Sequence, residues 1–338
     1  MEYSKLDYSI SPNTYKVNFK PDIYAAIIER SICIIKKQGK LSMIVPISIF
    51  STKGFVSLQE FIIDNFNNIW TSNFADSCKL FQGITKRLNI IILSNHQKSA
   101  FYQTKYYKEK YNSDLFKIIK YQELQELYYT VEGAIPKIFD SIEKSILNKV
   151  FNKNRNQLIQ NCQSQEGKSL YFTRTLRNFC LFHNEKPYRL DKDDNKVYAS
   201  EIIEVKYSQD LYWFILSIFN SNLFVWFYNL FSDMRHINKG INELFMIPQE
   251  TNKTIINQHL QQLILSLMNS YEDNVQIKKA NSSGIRERYY QPRLSKPIID
   301  EIDKILAEHY GFTEEELDFI INYDIKYRMG KELAEDDN

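Results

Sequence analysis

The chain has 338 residues, of which 25% are charged and 43% hydrophobic, and its formal net charge is +2. These proportions are typical of globular proteins and exclude wholesale disorder, and the length favours about two or three domains. The 9 glycines are widely spaced. Their spacing excludes a glycine-rich phosphate loop and the GxGxxG dinucleotide motif.

Charge is distributed unevenly along the chain. Residues 300–338 contain 13 acidic and 4 basic residues, a net charge of −9, whereas the remainder contains 39 basic and 28 acidic residues, a net charge of +11. A basic body with an acidic end favours a polyanionic partner. The 4 cysteines form no CxxC pair and the polar start has no apolar signal core, so we expect reduced thiols in a cytoplasmic protein.

The N-terminal third alternates between predicted helices and predicted buried strands. Amphipathic patterns predict helices over 22–37 and 54–64, and apolar runs predict strands over 41–45, 69–71 and 88–93. Helices that alternate with buried strands indicate α/β architecture with a mainly parallel sheet.

The pattern changes after residue 98. Residues 99–133 are rich in tyrosine and lysine without a clean period, and 134–272 have the pattern of a mixed α+β segment. Residues 274–284 are polar and predict a linker. We therefore divide the chain into four segments, residues 1–98, 99–133, 134–272 and 273–338.

One stretch imitates a membrane span. Residues 211–231 contain no charged side chain and are long enough to cross a bilayer. However, Asn220, Ser221 and Asn222 lie at the middle of the stretch, and buried amides without partners are costly in lipid. We therefore predict a buried core helix and no membrane partner.

The C-terminal part is predicted to be helical. Helices are expected over 254–271 and 296–310. Thr313 is followed three residues later by Glu316, the spacing of a capping box at the start of another helix.

One motif resembles a nuclease site. Asp194 with Glu204 and Lys206 gives an acid followed by E-x-K, which can hold Mg²⁺ beside a scissile phosphate. The motif is short, and a strand over 202–207 explains the two later residues as alternating exposed positions. We favour the solvated strand. His236 could contact a phosphate, although an ordinary surface histidine is favoured.

Three segments are candidates for contact with nucleic acid. Residues 171–177 interleave aromatic and basic side chains, which fits either a nucleic-acid contact or a strand with a buried aromatic face. Residues 232–240 form a second basic loop. Residues 81–87 place Phe81 on a glycine-containing loop, where an aromatic ring can stack on a base, although spacing alone favours a buried loop anchor.

Together these segments resemble the C-terminal portion of a gamma-class adenine-N6 DNA methyltransferase of the TaqI-like and type IIG restriction–modification group. Residues 22–29 and 39–46 resemble the helix and strand after the family's catalytic tetrapeptide, and 81–93 resemble its base-stacking loop and following strand. Residues 220–227 with 232–235 resemble its target recognition domain, and 316–324 with 326–329 resemble the tail of the type IIG group.

The resemblance implies an α/β fold, a partial Rossmann-like methyltransferase sheet over 1–98, with a connector over 99–133. An α+β target recognition domain over 134–272 and a linker with a helical C-terminal tail over 273–338 would follow. The family's glycine loop for S-adenosylmethionine is absent from this sequence. The Asn-Pro-Pro-Tyr tetrapeptide is also absent, because no two of the 8 prolines are adjacent. The strand over 41–45 would then present an unpaired apolar edge.

The resemblance also implies residue roles. Phe81 would stack on the adenine flipped out of the duplex. Tyr24 and Ile27 would bind the cofactor S-adenosylmethionine, although TaqI-like enzymes have an aromatic side chain at the position of Ile27. The implied contacts to double-stranded DNA are Lys86, Arg87, Arg174, Arg177, Arg235 and Lys239.

The implied function is that of the target-recognition half of an adenine-N6 DNA methyltransferase. A partner protein would carry the cofactor loop and the tetrapeptide, and this chain would be inactive alone. Two alternatives remain open: a non-catalytic DNA-binding specificity module, and the remnant of a broken methyltransferase gene.

Overall fold

The structure is a computed structural model. It describes residues 14–17, 22–95, 99–108, 117, 119–124, 134–174, 178–234, 237, 239–249, 253–278 and 284–330. The chain divides into two compact units.

The first unit comprises Met1–Glu143 and Asn229–Asp233. Its elements are, in chain order, α1 (Tyr24–Ile34), β1 (Leu41–Pro46), α2 (Val56–Asn65), β2 (Asn68–Phe74), β3 (Leu88–Ser94), β4 (Ala100–Tyr107) and β5 (Gln122–Leu124).

The five strands form one sheet in the order β1-β3-β2-β4-β5. Strand β3 is antiparallel to both neighbours, with Leu93 opposite Leu41 on one side and Ile69 on the other. Strands β2 and β4 are parallel, and β4 and β5 are antiparallel. Among the described residues, β1 therefore lies at one edge of the sheet with a neighbour on one side only.

The prediction of a mainly parallel sheet was wrong, because the described sheet is mixed and three of its four strand pairs are antiparallel. Strands β1 and β2 do point the same way, as a helical crossover through α2 requires. The chain then turns back through residues 75–87, without a crossover helix, and β3 inserts between them. Strands β4 and β5 come from the segment in which the sequence showed no period.

Both predicted helices of this unit form, and their apolar faces are buried in its core. Ala25, Ile28 and Ile32 of α1 and Leu58 and Ile62 of α2 belong to one buried cluster. In each helix the apolar residues recur at helical spacing and therefore lie along one side, which packs into the core.

A buried carboxylate ties α1 to the segment before it. Glu29 is 4% exposed and accepts hydrogen bonds from the backbone amides of Lys16 and Val17, at 2.9 and 2.8 Å. A buried carboxylate needs such donors, because unpaired it is costly to remove from water.

The second unit comprises Lys144–Tyr228 and Met234–Asn338. Helices α3 (Ser141–Val150) and α5 (Asn222–Phe231) each cross the boundary between the two units, and most residues of both belong to the second unit. The elements are β6 (Asn156–Leu158), β7 (Gln163–Phe172), β8 (Phe182–His183), β9 (Arg189–Leu190), β10 (Lys196–Val197), β11 (Ile203–Tyr207), α4 (Tyr212–Phe219), α5 (Asn222–Phe231), α6 (Lys239–Asn242), β12 (Met246–Pro248), α7 (Lys253–Asp273), β13 (Gln276–Ile277), β14 (Arg288–Tyr289), α8 (Lys296–Tyr310), α9 (Glu314–Ile321) and α10 (Ile325–Met329).

The predicted long core helix is two buried helices, α4 and α5, bent by 65° at the polar break. Asn220 donates to the carbonyl of Phe182 at 3.0 Å and accepts from the amide of Phe182 at 3.2 Å. Ser221 accepts from the amide of Phe224 at 3.0 Å, which caps the second helix. The polar residues of the run therefore have partners inside the unit.

A carboxylate completes this break. Asp303 of α8 is 2% exposed and accepts from the amides of Asn222 and Leu223, both at 3.0 Å, and from the side-chain amide of Asn222 at 2.7 Å. An acidic side chain at a helix N-terminus binds the first free amides and complements the helix dipole. No single helix in the described ranges is long and apolar enough to span a membrane.

The C-terminal elements agree with the sequence analysis. Helix α8 has the predicted bounds, and Thr313 and Glu316 form the predicted capping box. The Glu316 carboxylate also accepts from Ser145 and Lys149, each at 2.6 Å. The cysteines are free thiols, and Cys33 alone of the four is exposed.

Candidate functional site

The loop between β2 and β3 presents Phe81 to solvent from an anchored base. At that base, Ala75 donates to the carbonyl of Tyr107 at 2.8 Å, and the Cys78 thiol donates to the same carbonyl at 3.0 Å. Phe74 stacks on Tyr107 with ring centroids 5.5 Å apart. The loop is therefore fixed to the end of β4 while its tip is free to meet a ligand.

The tip is a tight turn that exposes two apolar side chains. The amide of Ile84 donates to the carbonyl of Phe81 at 3.4 Å, and Gly83 has φ +78°. A positive φ at the third position of such a turn favours glycine. Phe81 is 45% exposed and Ile84 46%, so the buried-anchor reading of Phe81 was wrong.

The two basic residues of this loop differ in their surroundings. Lys86 is exposed. Arg87 is partly buried, lies 3.9 Å from a carboxylate oxygen of Asp76, and donates to the carbonyl of Asp233 at 3.2 Å. Arg87 therefore contacts Asp233, near the start of the second predicted basic loop at 232–240.

The two cofactor candidates on α1 also differ. Ile27 is 47% exposed. Tyr24 is buried, its ring stacks on Phe55 at 5.1 Å, and its hydroxyl lies 3.4 Å from that of Ser48. Burial raises the pKa of the Tyr24 phenol well above its usual value. Tyr24 packs inside the unit, whereas Ile27 is accessible.

In the second unit, two predicted basic segments are neighbours. Arg174 is exposed after β7, and its carbonyl accepts from the amide of Ile237 at 2.8 Å. Arg177, Arg235 and His236 lie outside the described residues. Lys239 begins α6, within the second segment.

The residues of the nuclease-like motif have separate partners. Arg286 forms a salt bridge with Asp194. Ser169 donates to Glu204, which alternates with Lys206 as an exposed residue of β11. No cluster of metal-ligating side chains occurs in the described ranges. The solvated-strand interpretation is therefore the one that the structure supports.

Sequence reasoning missed a buried lysine in the first unit. Lys137 is 7% exposed, and its ammonium donates to the carbonyls of Leu230 and Ser232 at 2.8 and 2.7 Å. It is the lone charge in the run Ala134-Ile135-Pro136-Lys137-Ile138-Phe139, and that pattern was the available signal. Burial lowers the pKa of Lys137 to about 7, although the nearby Asp233 opposes the shift.

The Lys137 ammonium should make stability depend on pH. The pKa of Lys137 is lower in the folded state than in the unfolded state, so the folded chain binds fewer protons between about pH 7 and 10. The free energy of unfolding therefore rises with pH in this window. We expect wild type to gain stability over Lys137→Met by up to about 1.4 kcal/mol per pH unit in this window. Urea unfolding at a series of pH values measures the difference.

Lys40→Met, at an exposed lysine of the same unit, is the matched control and should show no such slope against wild type. Parallel pH profiles for wild type and Lys137→Met would show that the ammonium is not titrating in this window.

The fold and loop define a mixed α/β unit with an exposed aromatic turn beside its sheet, followed by a second unit. Residues 2–81, ending at the loop phenylalanine, match the family model described as Eco57I restriction-modification methylase. A search of curated proteins found no match.

Solved structures with some similarity are larger proteins. The type IIL restriction-modification enzyme MmeI in complex with DNA aligns at 12% identity and a TM-score of 0.48, over 91% of this chain and 52% of that chain. The cryo-EM structure of the DrdV–DNA complex aligns at 10% identity and a TM-score of 0.29, over 41% of this chain and 15% of that chain. This chain thus spans about half the length of MmeI and less of DrdV.

Proposed function

We propose that these residues form the target-recognition half of a site-specific adenine-N6 DNA methyltransferase of a restriction–modification system. The main support for this proposal is the methylase family match over residues 2–81. The matched region ends at Phe81, an exposed aromatic residue on an anchored loop. Enzymes that modify a base take it out of the stack, and an accessible aromatic face can receive it.

In this proposal Phe81 stacks on the flipped adenine while a methyl group moves from S-adenosylmethionine to the exocyclic N6. The amine loses a proton, and S-adenosylhomocysteine leaves. Ile27 is accessible enough to line a cofactor pocket completed from outside these residues, and Tyr24 positions α1 from within. The basic side chains that contact double-stranded DNA in this proposal are Lys86, Arg87, Arg174, Arg177, Arg235 and Lys239.

The chain needs a partner to complete the site. These 338 residues contain no adjacent prolines, so the Asn-Pro-Pro-Tyr tetrapeptide has to come from outside them. Strand β1 lies at an edge of the described sheet, with Ile44 47% exposed, and Ile34 of α1 is 69% exposed. An exposed strand edge with apolar neighbours is a surface that pairs with another chain. We propose that the methylase half with the missing motifs pairs with this sheet edge.

The test is transfer of a labelled methyl group from S-adenosylmethionine to unmethylated DNA. The 338-residue chain is assayed alone and with the product of the adjacent upstream reading frame. We expect incorporation only in the mixture, with the label in N6-methyladenine. Activity of the chain alone would contradict the proposal that a partner supplies the missing motifs.

The alternative of a non-catalytic DNA-binding module predicts a different result. It gives salt-dependent DNA binding in both samples and incorporation in neither. The gene-remnant alternative predicts a chain without a cooperative unfolding transition, because the open sheet edge has no partner.

A further inference from the structure

The second unit contains a cavity of about 530 Å³ that the proposed methyl transfer does not use. Its walls include His183 of β8, residues 187–189, the segment 287–293 and Arg328 of α10. This volume lies in the range of small-molecule sites in proteins.

One buried donor in the wall lacks an acceptor. Arg328 is 4% exposed; its Nε donates to the carbonyl of Asn178 at 3.1 Å, and its Nη1 donates to that of Tyr323 at 3.4 Å. Its Nη2 is buried and has no hydrogen-bond partner among the described residues. A buried unpaired donor costs about 1–3 kcal/mol, so an acceptor atom supplied by a ligand would be favourable here.

Several other side chains of the wall are planar. The guanidinium of Arg288 lies 4.1 Å from the ring centroid of Tyr188 and 5.5 Å from that of Tyr290. The imidazole of His183 lies 4.9 Å from the ring of Tyr290. Such rings and guanidinium planes favour a flat heteroaromatic ligand.

Two arginines of the wall have carboxylate partners. Arg189 pairs with Glu201 and Glu287, at 2.5 and 2.9 Å, and Arg288 pairs with Glu272. Burial and the charge of Arg288 lower the pKa of His183 to about 4, so the imidazole is uncharged near neutral pH. A phosphate would compete with the carboxylates that already pair with Arg189 and Arg288, whereas a flat ring with an acceptor atom on its edge can contact both the planar groups and Arg328.

We propose that this cavity binds a single nucleobase, with a ring acceptor atom turned toward Arg328. Purines and pyrimidines are planar and carry acceptors on their edges. The choice of a nucleobase among flat ligands rests on the proposed DNA function, whereas the cavity and its unpaired donor do not. The base comes either from a free nucleotide or from bound DNA, as a nucleotide turned out of the duplex.

The test uses the full chain and the four 2′-deoxynucleosides, with 2-deoxyribose 5-phosphate as the probe without a base. Saturation-transfer NMR measures each dissociation constant. Ala199→Phe fills the cavity from a wall residue without removing a polar contact, and Ala199→Ser is the matched control. We expect wild type and Ala199→Ser to bind at least one nucleoside, and Ala199→Phe to bind it at least about tenfold more weakly.

A second variant tests the donor. Arg328→Lys keeps the charge and removes Nη2, and we expect it to weaken nucleoside binding while leaving the phosphate probe unchanged. Adding duplex DNA then separates the sources, because DNA displaces the nucleoside if it supplies the base and leaves it bound if a free nucleotide is the ligand. Absence of nucleoside binding to wild type, or equal binding to Ala199→Phe, would overturn the proposal. Neither result depends on whether methyl transfer occurs.

Discussion

Replacing Asp303 with alanine should destabilise the second unit by at least about 1–3 kcal/mol, the cost of leaving a buried hydrogen-bond donor without its acceptor. The carboxylate accepts three hydrogen bonds at the start of α5, two from backbone amides and one from Asn222. The alanine variant leaves these donors buried without an acceptor, and each unpaired donor costs free energy. Urea unfolding followed by circular dichroism at neutral pH gives the difference.

Glu301→Ala is the control on the same helix. Glu301 and its partner Lys304 are both more than half exposed, so removing their ion pair should leave the stability close to that of wild type. Asp303→Asn keeps an acceptor oxygen and should fall between the two variants. Equal stability of Asp303→Ala and Glu301→Ala would mean that water replaces the carboxylate at the helix end.

Phe81→Ala should lower kcat/KM for methyl transfer by the reconstituted pair about 5- to 150-fold. Stacking of a base on an aromatic side chain is worth about 1–3 kcal/mol, and alanine removes it. Phe81→Trp keeps an aromatic face and should retain most activity. Initial rates at several DNA concentrations separate an effect on binding from one on the reaction.

The loop supplies its own control in Ile84, which lies in the same turn three residues after Phe81 and is equally exposed. Ile84→Ala removes a similar apolar area without removing a ring, so its rate should stay near that of wild type. If both substitutions lowered the rate equally, loop hydrophobicity rather than base stacking would explain the effect.

The local elements of the first unit were predictable because each has its own periodic pattern. Helix α1 and strands β1 and β3 formed where apolar spacing placed them. The direction of β3 was not predictable from that spacing, because an apolar strand has the same pattern in either direction. Direction depended on the loop at 75–87, whose turn brings the chain back beside β2.

The second unit shows why contacts distant in sequence limit such predictions. The polar break at Asn220–Asn222 was visible, but its partners Phe182 and Asp303 are 38 and 81 residues away. The cavity was missed for the same reason. No element was predicted over 287–293, and nothing local linked this segment to His183 or Arg328.

The first unit is completed by a segment that is synthesised much later. Lys137 reaches carbonyls 93 and 95 residues downstream, and Arg87 reaches one 146 residues downstream. Domains generally begin to fold as they emerge from the ribosome, and contacts across long sequence separations form slowly. During translation this unit therefore cannot finish folding when residue 143 emerges. It waits until Asp233 is available, by which time residues 144–228 of the second unit have already been synthesised.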